Sequence, residues 1–177
     1  MIHRAGFVNI IGKPNVGKST LMNVLTGEKI SIITPKAQTT RQRILGMVNT
    51  DNYQIVFSDT PGILEPGYKL QEAMMREVDT AFEDADILLY LVEAGESSDQ
   101  PAIIERIKNT GIPVMVVINK IDLTDQPSLE AKISEWQQVF PDADIIPVSA
   151  LRNANLPSVF KSILAKLPEN PPYYDKD

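Results

Sequence analysis

The sequence predicts an α/β fold: a three-layer sandwich around a mostly parallel, six-stranded sheet with one antiparallel edge strand. Three observations carry that prediction. Along the 177 residues, apolar runs of strand length alternate with amphipathic helical stretches, the pattern of a parallel sheet covered on both sides. Ile87 to Val92 and Ile112 to Ile118 are almost continuously apolar, as strands buried on both faces must be. Polar motifs then fall at strand ends, where ligands bind such sheets.

The first unit is strand, loop and helix. Phe7 to Ile11 is an apolar run, and Gly12-Lys13-Pro14-Asn15-Val16-Gly17-Lys18-Ser19 after it fits the phosphate-binding pattern G-x-x-x-x-G-K-[ST]. Thr20 to Leu25 continues as a helix that stops at Thr26-Gly27. Backbone N–H groups from Asn15 through Val16, Gly17, Lys18, Ser19 and Thr20 can turn inward around phosphates, where the helix dipole also favours negative charge. Lys18 would reach the β- and γ-phosphates, and the Ser19 hydroxyl would ligate Mg²⁺. The sandwich is therefore expected to be of the P-loop NTPase kind.

Glu28 to about Arg41 lacks periodicity, which marks a long functional loop. Within it, one threonine hydroxyl can complete the Mg²⁺ shell when a γ-phosphate is present; Thr40 is the first choice and Thr39 the second. Ile44 to Val48 and Tyr53 to Ser58 read as a hairpin around Asn49-Thr50-Asp51-Asn52, the source of the antiparallel edge strand. The second of these strands runs into Asp59-Thr60-Pro61-Gly62. There Asp59 can hold Mg²⁺ through water, and the Gly62 N–H can sense a γ-phosphate.

A helix is predicted from Leu70, with Met74, Val78, Phe82 and Ala85 on one face. Pro101 suits the first turn of the next helix, with Ile103, Ile104 and Ile107 as its buried stripe. The strand Ile112 to Ile118 has its proline near the start, where a missing donor is tolerable, and ends in Asn119-Lys120-Ile121-Asp122. An acceptor-only carboxylate at Asp122 can take hydrogen bonds from guanine N1–H and the 2-amino group, and adenine has no donor at the first of these. Asn119 can contact the base and tie loops together, and the Lys120 stem can lie along the purine. Leu129, Ile133, Trp136 and Phe140 mark another helix, Ile145 to Val148 the last strand, and Leu156 to Leu167 the last helix. Ser149-Ala150 would add the Ala150 N–H to guanine O6. The tail from Pro168 to Asp177 has three prolines and no helical stripe, so it reads as a linker from which a further domain would follow.

Composition narrows the classes. With no cysteine, disulfides and thiolate-bound metal are excluded. A net charge of −6 lacks the broad basic footprint of a nucleic-acid binder. No apolar segment approaches membrane-spanning length, and the run after His3-Arg4 is broken by Asn9, as a strand and not a signal peptide would be.

These motifs in this order resemble the translation-factor-like GTPases, and the finer detail is similar to the Era family of bacterial ribosome-assembly GTPases. The similarity rests on residues 12–20, on Lys36-Ala37-Gln38-Thr39-Thr40-Arg41-Gln42-Arg43-Ile44, on Asp59 to Gly62 and on the Leu167-Pro168-Glu169 tail. It implies a G domain over 1–167, a Pro-rich linker over 168–177 and, absent from this sequence, an RNA-binding KH domain. It further implies GTP hydrolysis to GDP with Mg²⁺, and a switch role in small-subunit assembly on 16S rRNA. A cytoplasmic monomer with transient, peripheral membrane association completes the implied picture. Ras-like relatives place a water-orienting glutamine directly after Gly62, where this chain has Ile63. Relatives with an apolar residue there use a potassium ion held by the residue equivalent to Asn15, so Asn15 is the expected K⁺ ligand. Lys18, Thr40, Gly62 and Asn15 are thus the expected catalytic set. The rival expectations are a guanine-responsive binding module with negligible turnover and an ATP-using enzyme on the same loop.

Overall fold

The computed structural model describes residues 2–13, 16–27, 43–59, 85–99 and 101–174, leaving aside the side chains of 43–45 and 59. The strands are β1 (Arg4–Gly12), β2 (Arg43–Asn49), β3 (Tyr53–Asp59), β4 (Ile87–Glu93), β5 (Val114–Asn119) and β6 (Asp144–Pro147). The described helices are α1 (Lys18–Thr26), α2 (Pro101–Asn109), α3 (Gln126–Val139) and α4 (Leu156–Lys166). The predicted loop over 28–41 and the body of the helix predicted from Leu70 lie outside the described residues.

One six-stranded sheet has the order β2-β3-β1-β4-β5-β6, and only the β2–β3 pair is antiparallel. From β1 the chain goes to the sheet edge for β2, returns beside β1 as β3, and then crosses to the other side of β1 for β4. The order therefore reverses at β1, and the crevice at a reversal point lies outside the carboxyl ends of the strands, where the phosphate loop begins.

Strand alternation divides the core in two. Ile87, Leu89 and Leu91 join Val8, Ile10, Leu21, Phe57, Val159 and Ile163 on the face covered by α1 and α4. Leu88, Tyr90 and Val92 join Ile104, Ile107, Trp136 and Phe140 on the face covered by α2 and α3. The first six of the seven β4 residues are buried, and none of those six is charged; Glu93 at the strand's end is only partly buried. Asp86, just before β4, accepts from Phe7 N at 2.8 Å and donates its own N–H to Phe7 O at 2.9 Å, locking β4 beside β1.

The second face holds an aromatic cluster. Tyr90 and Trp136 meet edge-on at 5.5 Å between centroids, and Trp136 stacks on Phe140 at 6.4 Å. The Tyr90 hydroxyl is buried with no hydrogen-bond partner among the described residues, and burial, with the charge of Glu96 second, pushes its pKa far up. An unmade hydrogen bond contributes nothing and its donor has already lost water, so Tyr90→Phe should leave stability unchanged or raise it by up to about 1 kcal/mol. Thermal unfolding checks this; a clear fall in the midpoint would show that the hydroxyl has a partner, such as a trapped water.

Two of the boundaries that differ from expectation have a plain cause. β5 starts at Val114, after Pro113, because proline has no N–H for the ladder; the Pro113 carbonyl still accepts from Leu88 N at 2.9 Å. β1 begins earlier than Phe7, because Arg4 and Ala5 find partners in β3 and in the tail. Over 168–174 that tail is held against the domain. Ala5 N donates to Pro168 O at 3.2 Å, Asn170 N to His3 O at 3.2 Å, and the Phe7 and Tyr173 rings meet at 4.9 Å. The fully buried Gln54 completes the docking: its Oε1 accepts from Tyr173 N at 2.8 Å, and its Nε2 donates to Tyr174 O at 2.9 Å. All of this lies at the amino ends of β1 and β3, opposite the crevice.

Candidate functional site

Three loops converge at the carboxyl ends of the parallel strands. The first leaves β1 and enters α1. Gly17 caps that helix with φ 103 and ψ 25, a backbone that only glycine adopts readily, and its O accepts from Leu21 N at 2.9 Å. Val16 is buried beneath the loop, whereas Ser19 and Thr20 are exposed on the first turn of α1 and Lys18 is half-buried beside them. Helix α1 has no acidic side chain in its first turn, so its positive dipole end is left for an anion.

The second loop leaves β5. Asn119 is 3% exposed, and its side chain bonds in two directions: Nδ2 donates to Val16 O at 2.9 Å, and Oδ1 accepts from Ala150 N at 3.0 Å. One amide therefore fastens the phosphate loop to the third loop. Lys120 follows in the left-handed region at φ 65, its Nζ 2.9 Å from Glu93 Oε2. Asp122 is exposed, and its Oδ1 accepts from Ser149 Oγ at 2.8 Å.

The third loop leaves β6. Val148 N donates to Ile118 O at 2.7 Å, carrying the sheet one residue past the strand, and Ser149 and Ala154 exchange backbone bonds at 3.2 and 2.9 Å. That closed loop presents Ser149 to Asp122 and Ala150 to Asn119.

Of the sequence-predicted residues, Val16, Gly17, Lys18, Ser19, Thr20, Asn119, Lys120, Asp122, Ser149 and Ala150 all fall on these loops. Asp59 ends β3, its Cα paired in register with Ile10 of β1, which puts it one strand from the phosphate loop. The side chain of Asp59, together with Asn15, Thr39, Thr40, Gly62 and Ile63, lies outside what is described. The Ala150 N–H, expected at guanine O6, donates in this structure to the buried Asn119 Oδ1 at 3.0 Å. Ser149, expected with Ala150 at the nucleotide, donates from its hydroxyl to Asp122. Glu93 and Glu96 went unnoticed; acidic residues at the end of a strand otherwise fully apolar were the signal. A separate cavity of about 600 Å³, lined by Lys108, Pro113, Phe140 and Lys166 among others, sits by the amino ends of β5 and β6, away from every motif.

Comparison with known proteins agrees with this geometry. Residues 7–120 match the family model described as 50S ribosome-binding GTPase. Era from Aquifex aeolicus, solved as a point variant bound to GDP·AlF₄⁻, is 42% identical with a TM-score of 0.77, and the match covers 98% of this chain and 60% of that one. Era in complex with MgGDPNP and nucleotides 1506–1542 of 16S ribosomal RNA is 43% identical with a TM-score of 0.78, covering 99% of this chain and 61% of that one. The chain thus spans about three-fifths of the length of these Era chains. The FeoB G domain of Methanococcus jannaschii, 21% identical with a TM-score of 0.66 over 92% of this chain and 97% of that one, shares the fold.

Proposed function

The chain belongs to the 50S ribosome-binding GTPase family, on its Era branch, and from that premise we propose that it binds GTP with Mg²⁺, hydrolyses it to GDP and phosphate, and acts as a nucleotide switch. The observation that carries the proposal is the pair of hydrogen bonds that the Asn119 amide makes, donating to Val16 O at 2.9 Å and accepting from Ala150 N at 3.0 Å. It makes the phosphate cradle and the base-reading loop walls of one crevice, so a single guanosine phosphate spans both. Ser149 aligns Asp122 toward the base edge, and a bound guanine would share the Ala150 N–H with Asn119.

The phosphate loop fits an anion: its glycine cap is left-handed, its helix has no competing acid in the first turn, and Asp59 ends β3, the neighbour of the strand that leads into the loop. Ser19, Thr40 and Asp59 would hold Mg²⁺, which neutralises charge on the phosphates. Lys18 and the loop N–H groups bind the β- and γ-phosphates and hold them in line for water. No side chain of the described site is placed as a general base, so turnover rests on positioning and is slow for the chain alone. With Ile63 in place of a water-orienting glutamine, Asn15 is proposed as a residue that would hold K⁺, which would offset the charge that develops on the phosphates. Turnover in KCl should then exceed that in NaCl at equal ionic strength by several-fold; equal rates would remove the potassium role and leave the GTPase reading intact.

For the whole protein we propose small-subunit assembly on 16S rRNA, with 1–167 as the G domain and 168–177 leading to an RNA-binding KH domain. Location in the cytoplasm, with transient contact at the membrane surface, belongs to the same proposal; among the described residues no helix is long and apolar enough to cross a membrane. Calorimetric titration with GDP, a GTP analogue and ADP, paired with a phosphate-release assay, tests the core of it. Guanine nucleotides should bind, ADP should not, and Lys18→Ala should abolish release. Equal binding of ADP would sink the guanine assignment, and binding without release would support a switch module lacking turnover.

A further inference from the structure

The turn after β4 carries two carboxylates, and each holds a lysine from a different loop of the site. Glu93 Oε2 lies 2.9 Å from Lys120 Nζ, and Glu96 Oε2 lies 3.7 Å from Lys13 Nζ. The turn is closed on itself: Glu96 N donates to Glu93 O at 2.9 Å, and Glu93 N donates to Glu96 Oε1 at 3.4 Å. Between them, Ala94 N donates to Asn119 O at 3.0 Å, which ties the turn to the end of β5. Glu96 is only 7% exposed, and a carboxylate is buried to that degree only when partners replace its water. Glu96 is therefore built into the site, while Glu93 is partly exposed beside Lys120.

Lys120 needs such a partner. Its backbone is left-handed, which a side chain with a Cβ occupies only where surrounding bonds hold it. A four-carbon stem loses more rotamer freedom on ordering than almost any other, so a stem anchored before the ligand arrives has less left to lose on binding. Resting on the guanine-nucleotide reading above, we propose that Glu93 is a positioning residue for base recognition, holding the Lys120 ammonium so that its stem lies along the purine face. Glu96 does the same for the phosphate loop through Lys13, and residues 93–96 form a brace that sets the spacing between cradle and base loop.

Dissociation of a fluorescent GDP from wild type, Glu93→Ala, Lys120→Ala and the double variant tests this. Glu93→Ala should speed dissociation about fivefold, the scale of one partly exposed ion pair, and should add nothing when Lys120 is already alanine. Glu96→Gln should speed it in both backgrounds, because it acts through Lys13. A purely structural Glu93 would instead lower the melting temperature of the nucleotide-free chain and multiply the rate equally in both backgrounds. That result, or wild-type dissociation from Glu93→Ala, overturns the role of Glu93, and wild-type dissociation from Glu96→Gln overturns that of Glu96. Glu93→Gln, which keeps the side chain's size, carries the same cycle if the alanine variant folds poorly. Failure of the underlying reading looks different: the wild-type chain would itself not retain GDP.

Discussion

Asp122→Asn should weaken GDP and GTP binding about 100-fold or more while admitting xanthosine nucleotides. The carboxylate offers two acceptors to the N1–H and 2-amino groups of guanine. An amide offers one acceptor and one donor, so one pairing becomes donor against donor. Loss of charge-assisted bonds at that edge is on the order of 3 kcal/mol, which is about two decades in affinity. Xanthine carries a carbonyl in place of the 2-amino group, and the amide donor meets it. Asp122 is exposed and Ser149 Oγ donates to it at 2.8 Å, a bond that Asn Oδ1 can also accept, so the fold should be unaffected. Titrating GDP and XDP into both proteins checks the reversal, and retained GDP affinity in the variant would remove Asp122 from base recognition.

Gly17→Ala should lose both stability and nucleotide binding. A Cβ on Gly17 would stand 2.3 Å from Asn119 Nδ2, on a backbone with φ +103. The Asn119 amide cannot retreat without giving up its bonds to Val16 O and Ala150 N, both of them buried. Backbone strain and one or two broken buried bonds together imply about 2–4 kcal/mol of destabilisation. The crevice walls come apart with them, so GDP affinity should fall at least about 100-fold, the effect of some 3 kcal/mol. Urea unfolding and GDP titration measure the two losses. Truncating Asn119 to alanine removes the obstructing atom, so the stability cost of Gly17→Ala should shrink in that background. Equal costs in both would place the strain in the backbone alone.

The part of this site carried by contiguous residues is legible in the amino-acid order itself. Gly12 to Ser19 and Asn119 to Asp122 declare their chemistry by spacing, because a loop that wraps phosphate or faces a base edge needs particular residues a few positions apart. Strands β3 and β4 are legible for a related reason: a largely apolar run of strand length has few alternatives once helices flank it. What escapes such a reading joins distant segments. The Asn119 to Val16 bond spans 103 positions, and Gln54 meets Tyr174 across 120. A lone glutamine in a strand gives no periodic signal, and Pro168 to Tyr174 reads as linker because its partners, the Gln54 amide, the Phe7 ring and backbone groups of β1, lie more than a hundred positions away.

Sequence alone therefore determined the candidates, namely the loop proposed to take phosphate and the carboxylate proposed to read the base, and that a mostly parallel sheet supports them. Their mutual arrangement was decided by the tertiary structure. Asn119 as a clasp, Ser149 behind Asp122, the two glutamates bracing two lysines, and the docked tail all depend on the order β2-β3-β1-β4-β5-β6 bringing strand ends side by side. The physical reason is range: backbone preference and hydrophobic period act over a few residues, whereas a buried amide or carboxylate is satisfied by whichever donor the fold delivers to it.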